Sequence, residues 1–158
     1  MSIPLPYNFS SHNNDNKYIF KTDYSVAYSV EFTDGTHYFL NLPAHIPVYE
    51  FNIKALNVVD GIGQPYDTRI EITIIDILSA FFENHKNSLI YVCDNLDNRQ
   101  QARYRKFDGW FKKSRPALIE KYDVDFYIHD IQILASLIVH VQNPDKNLLV
   151  RLFFDIYK

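Results

Sequence analysis

Seven basic side chains crowd one short stretch of this chain. Arg99, Arg103, Arg105, Lys106, Lys112, Lys113 and Arg115 stand against the single acid Asp108, so residues 99–115 carry +6, while the rest, with 9 bases and 18 acids, carries −9. The net charge of −3 conceals a basic patch. Guanidinium forks hold phosphate or carboxylate through parallel hydrogen bonds, and an indole offers a stacking plane, so Arg99, Arg103 and Trp110 have the chemistry of an anion or stacking site. Wound as a helix, the segment puts Gln100, Tyr104, Phe107 and Phe111 on one core-facing stripe with Trp110 beside it. Arg99, Arg103 and Lys106 then follow one another along the far edge of Trp110, whereas Arg105 and Lys112 project from nearly the opposite side. The bases do not share one face. A solvated amphipathic helix, with arginine stems covering apolar surface and late lysines offsetting the negative helix end, accounts for them without a ligand; so do ion pairs with Asp94 and Asp97.

Asp94 and Asp97 flank the turn just before this helix. Two carboxylates there have the chemistry to hold a divalent cation with a substrate phosphate, yet Asp and Asn are also the ordinary turn and cap residues, and the run Asp94-Asn-Leu-Asp-Asn98 meets that need alone. The cap is the reading adopted. Cys93, the sole cysteine, ends a short apolar run with no histidine beside it and reads as a small core residue. One thiol excludes an internal disulfide and a multi-thiolate zinc site. The histidines at 12, 37, 45, 85, 129 and 140 have no metal-ligand spacing. His129-Asp130 has the types of an acid–base couple but falls in a predicted turn, where water leaves little room for pKa tuning. Gly61-Ile-Gly63 lacks the third glycine and the lysine of phosphate-cradling loops, and Ser10, Ser11 and Ser136 lack a nucleophile-elbow context. No catalytic set, metal site or cofactor follows from these residues.

The elements that must position the basic helix are legible in the patterning. Lys17–Thr22, Ser25–Thr33, Thr36–Asn41 and Val48–Ile53 read as four strands of an antiparallel meander, and Asp34-Gly35 between the second and third suits a type I′ hairpin. In the second, Val26, Tyr28, Val30 and Phe32 share the buried face and Ser25, Ala27, Ser29, Glu31 and Thr33 the other. Residues 10–16 read as a polar loop. Asp67 or Thr68 caps a helix whose Ile70, Ile74, Ile77, Leu78 and Phe81 fall on one face. A buried strand over Ser88–Cys93 precedes the basic helix of Asn98 to about Lys113, which the Arg115-Pro116 pair ends. Tyr122–Ile128 and Ile131–Val141 form a last hairpin through His129-Asp130. Asn143-Pro144 then reads as a cap with proline in first position before a terminal helix.

The order ββββ-α-β-α-β-β-α implies an α+β fold, an antiparallel sheet built from the N-terminal four-strand meander plus later strands and covered by about three helices. Length and a hydrophobic content of 47% suit a single domain over residues 1–158. No apolar run reaches the roughly 18 residues of a membrane span, and the N-terminus lacks the basic and apolar regions of a signal peptide, so a cytoplasmic protein is expected.

With Tyr7-Asn8-Phe9, the Ile72–Phe82 helix, the Leu89-Ile-Tyr-Val-Cys-Asp94 run and the spaced Arg103, Arg105, Phe107, Trp110 and Phe111, the chain resembles an uncharacterised family of small bacterial proteins known only as a domain of unknown function. The resemblance runs to about residue 115 and implies a bacterial, cytoplasmic, single-domain protein, with no catalytic residues to carry over.

The expected function is that of a non-enzymatic interaction module that binds another macromolecule, a protein in the first instance, through Arg99, Arg103, Arg105, Lys106 and Trp110. A bacterial conflict system, toxin control or phage defence, is the expected setting. Two alternatives use the same segment. One is a metal-dependent phosphodiester- or nucleotide-processing enzyme with Asp94 and Asp97 as ligands and Arg99, Arg103 and Arg105 as phosphate clamps. The other is an RNA- or DNA-binding protein that stacks bases on Trp110.

Overall fold

The computed structural model describes residues 4–12, 16–57, 67–93, 100–114 and 116–156. Their elements run β1 (Phe9–His12), β2 (Lys17–Lys21), β3 (Ala27–Asp34), a 3-10 turn (Thr36–Tyr38), β4 (Tyr49–Ala55), α1 (Thr68–Phe81), β5 (Ser88–Cys93), α2 (Gln100–Ser114), β6 (Ile119–Ile128), β7 (Ile131–His140) and α3 (Lys146–Ile156). The strands form one seven-stranded sheet in the order β1-β2-β3-β4-β5-β7-β6. Each neighbouring pair is antiparallel except β4 and β5, which run parallel. The fold is α+β, and β1–β4 form the N-terminal meander.

The meander's membership differs from the sequence reading. Residues 10–12, expected in a loop, pair with β2 as Ser10↔Ile19, Ser11↔Tyr18 and His12↔Lys17. Phe9 anchors this polar edge strand by packing edge-on against Tyr18 at 5.7 Å. Conversely, Thr36–Asn41 is not a strand. Gly35 has φ −112°, outside the region a type I′ turn requires, and Asp34 Oδ1 accepts the Thr36 N–H at 3.0 Å, which starts a helical turn instead. Glycine is needed there for close approach: a Cβ would lie 3.0 Å from Glu50 N, Tyr49 C and Ile90 Cγ2. The residues from Gly35 to Val48 are therefore a long connection into β4.

The sheet has two packed faces because β5 and β7 are covered on both sides. One face sets Phe20, Val30, Phe32, Phe51, Leu89 and Ile138 against α1 and α2; the other sets Ile90, Ala135, Leu137 and Val139 against α3. Burial on both faces explains why Leu134–His140 of β7 is continuously buried rather than alternating. Asp67 is the cap of α1, its carboxylate accepting the Arg69 N–H at 3.0 Å, and Ile74, Ile77, Leu78 and Phe81 are buried as the spacing required, with Ile70 at the margin. The β6–β7 turn places His129 and Asp130 at φ 48° and 67°, the type I′ pattern. At α3, Asn143 Oδ1 accepts the Asp145 N–H at 2.8 Å in an Asx turn, so the helix begins at Lys146 rather than at Pro144. Among the described residues no helix is long and apolar enough to cross a membrane.

Candidate functional site

The parallel pair at the middle of the sheet is incomplete. Its ladder consists of Tyr49↔Leu89 and Glu50↔Ile90, although β4 continues to Ala55 and β5 to Cys93. Each strand keeps its outer neighbour to the end, β4 with β3 through Ala55↔Tyr28 and β5 with β7 through Cys93↔Leu134. The sheet thus parts into two wings, β1–β4 and β5-β7-β6, with a gap opening toward the carboxyl ends of β4 and β5. Beyond Glu50 and Ile90 the facing backbone edges have no ladder partner across the gap among the described residues. Both strands leave this end toward helices, β4 toward α1 and β5 toward α2.

Aromatic rings close the base of the gap on the α1/α2 face. Phe51 and Tyr91 lie 5.8 Å apart between centroids, Tyr91 and Phe107 4.7 Å, and Phe51 and Phe107 5.5 Å. Phe107 of α2 is buried, and Trp110 and Phe111 pack partly buried beside it. Burial, then the adjacent Cys93 thiol, pushes the Tyr91 phenol far above its ordinary pKa against the opposing pull of Arg103, so it stays protonated. Cys93 is 3% exposed. On the opposite face, Glu50 accepts a hydrogen bond from the Tyr38 hydroxyl at 2.9 Å.

The basic helix is divided in its commitments. Lys112 pairs with Asp108 at 2.8 Å and Lys113 with the buried Glu71 at 2.7 Å, although both lysine side chains stay largely exposed. Arg103, Arg105 and Lys106 are exposed. Arg103 acts electrostatically on the Tyr91 phenol, and Lys106 Nζ lies 5.3 Å from the centre of the half-buried Trp110 ring. Arg99, Asp94 and Asp97 lie outside the described residues. Among the described residues no group of three or more His, Cys, Asp or Glu is arranged for a metal.

Beneath α2, a polar cluster ties the helix to the last hairpin. Lys121, with its side chain 4% exposed, reaches Asp108 at 2.7 Å and Asp123 at 2.5 Å, and its ammonium sits 5.0 Å from the Tyr104 ring centre. The buried Ser136 donates to Asp123 at 2.6 Å. Burial, with Asp123 and Asp108 adding to it and Ser136 opposing, raises the Tyr104 phenol well above its ordinary pKa. Gln101 donates to Gln132, which donates to Asp125, at 2.8 and 3.0 Å. Tyr104 therefore belongs to this polar anchor as well as to the expected core stripe. The gap's residues, Phe51 and Tyr91, were not singled out from sequence; the usable signal was the β-α-β run through α1, whose crossover brings two strands parallel.

Residues 66–155 match a family of unknown function, DUF6169. The chain belongs to this family. The matched region takes in α1, β5, α2, the β6–β7 hairpin and nearly all of α3, so it extends beyond the stretch to residue 115 on which the sequence resemblance rested, and it lies after the meander. No curated protein matches the chain in sequence. Among solved structures, a CoA-dependent acyl-homoserine lactone synthase, MesI, aligns over 93% of this chain and 76% of its own, at 11% identity and a TM-score of 0.38.

Proposed function

We propose that the protein binds an extended, amide-bearing small molecule with an anionic end, of the chemical class of coenzyme A thioesters, in the gap between β4 and β5. One observation carries the reading: a central parallel ladder that stops after Glu50↔Ile90 while both strands continue. Backbone N–H and C=O groups demand partners, and an extended chain carrying amides supplies them to both edges as a peptide does when it adds to a sheet. The carboxyl ends of strands that lead into helices are where ligands of α/β sheets gather. The partly exposed Tyr91, backed by the buried Phe51 and Phe107, suits the alkyl part of such a ligand, and Arg103 suits its phosphates.

Calorimetric titration of the full chain with coenzyme A and with acetyl-coenzyme A tests this. Saturable binding that Arg103→Glu weakens roughly tenfold, about 1.4 kcal/mol, supports it; no heat from either compound at millimolar concentration rejects it. A second reading, a macromolecular partner on the outer surface of α2, is favoured by the exposed Arg105 and Lys106 beside Trp110. There, Arg105→Glu with Lys106→Glu abolishes capture of a protein or nucleic acid while leaving the coenzyme titration unchanged. A nucleic-acid partner adds steep weakening with salt.

A further inference from the structure

At the end of the sheet opposite the gap, a cleft of about 680 Å³ opens where β3 ends and β4 begins. That volume falls within the range of small-molecule sites, about 300–1,000 Å³. Its apolar lining includes Ile46 and Val48, each 2% exposed and part of the cluster on the α3 side of the sheet, whereas the ring of Phe32 turns to the other face against Phe81. Its walls carry charge of one predominant sign. Lys17 is committed to Glu31 at 3.3 Å across the β2–β3 ladder, and Asp34 adds a second carboxylate to the lining. Hydrogen bonds from the Thr36 N–H and hydroxyl hold Asp34 below the usual carboxylate range, so that oxygen pair is ionised and fixed in direction at neutral pH. Thr33 and Thr36 also line the cleft.

We propose that this cleft is a second binding site, separate from the β4–β5 gap, for a small primary amine with an apolar body. The ammonium meets Asp34 and the Thr36 hydroxyl, and the body lies against Ile46 and Val48. An anion of the same shape meets the Asp34 carboxylate beside a Lys17–Glu31 pair already matched in charge, and a neutral analogue loses the charge contact. Asp34 is the residue that selects the cation, with Glu31 offsetting Lys17 beside it.

The test uses the full chain, isotopically labelled, and three probes sharing a ring: phenethylamine, phenylacetate and benzyl alcohol. The expected result is that millimolar phenethylamine shifts the amide resonances of Thr33, Asp34 and Thr36, with the other two probes weaker. Asp34→Asn, which keeps the acceptor for the Thr36 N–H, weakens phenethylamine roughly tenfold, as removal of one partly screened charge contact predicts. Glu31→Gln provides a second reading of the same charge should Asp34→Asn unfold. Equal response to the three probes, shifts confined to other residues, or undiminished binding in both variants overturns the proposal.

Discussion

Replacing Lys121 with Met tests whether the polar cluster beneath α2 holds that helix in place. The ammonium is 4% exposed and faces Asp108 at 2.7 Å and Asp123 at 2.5 Å. Removing one member of a buried ion pair costs about 3–5 kcal/mol because the other charge is left uncompensated. Two features reduce that figure here. Asp108, 18% exposed, keeps Lys112 at 2.8 Å, and Asp123, 41% exposed, keeps the Ser136 hydroxyl at 2.6 Å. The expected loss is therefore about 2–3 kcal/mol after discounting for solvent, which lowers a urea midpoint by roughly 1 M at a slope near 2 kcal/mol per molar. Adding Asp108→Asn removes the stranded charge, so the double variant loses at least about 1 kcal/mol less than the sum of the singles. Burial opposes ionisation of Asp108, but hydrogen bonds from Lys112 and Lys121 outweigh it and depress its pKa. A depressed carboxyl contributes stability above its unfolded value and loses it as pH falls through the folded one. The gap between wild type and Lys121→Met accordingly narrows below about pH 4. A loss under about 0.5 kcal/mol, or strict additivity in the double variant, refutes the argument that these charges are coupled and desolvated.

Three further outcomes follow from separate features. His140 is buried and stacked on His85 at 3.8 Å, and its Nδ1 accepts the Gln142 N–H at 3.0 Å; burial, then His85, lowers its pKa. The neutral ring is the native form, so stability falls as pH drops below about 6.5, and urea melts between about pH 7.5 and 5.5 show less of that fall in His140→Gln; parallel curves reject the assignment. Gly35→Ala forces a Cβ to 3.0 Å from Glu50 N and Tyr49 C, backbone that cannot swing aside, and costs about 1–3 kcal/mol, read as a thermal midpoint roughly 3–10 °C lower; an unchanged midpoint contradicts the close packing. Ser29 Oγ is the buried side-chain oxygen without a hydrogen-bond partner among the described residues, so Ser29→Ala is neutral or stabilising by up to about 1 kcal/mol, and a clear loss in calorimetry means that hydroxyl is bonded.

Local chemistry carried much of the fold. The Ile70, Ile74, Ile77, Leu78 and Phe81 spacing was sufficient for α1, and Ser88–Cys93 and the β6–β7 turn were legible from an apolar run and from residues that tolerate positive φ. It failed where side-chain pattern and backbone pairing disagree. Ser10, Ser11 and His12 look like loop yet pair as an edge strand through main-chain groups that the side chains do not announce. Thr36–Asn41 looks like strand, but Asp34 Oδ1 and the tight seat of Gly35 turn it into a helical connection.

The sequence by itself determined the elements from α1 to α3, the two-period and 3.6-period faces, and the concentration of positive charge between residues 99 and 115, because each depends on neighbours a few positions apart. Only the tertiary structure decided that β4 and β5 lie parallel and part after Glu50↔Ile90, that Lys112 and Lys113 pair with Asp108 and Glu71, and that Tyr104 shares a polar anchor with Lys121, Asp123 and Ser136. These contacts join residues distant along the chain, and their geometry depends on how both wings of the sheet pack against α1, α2 and α3, which no local window of sequence contains.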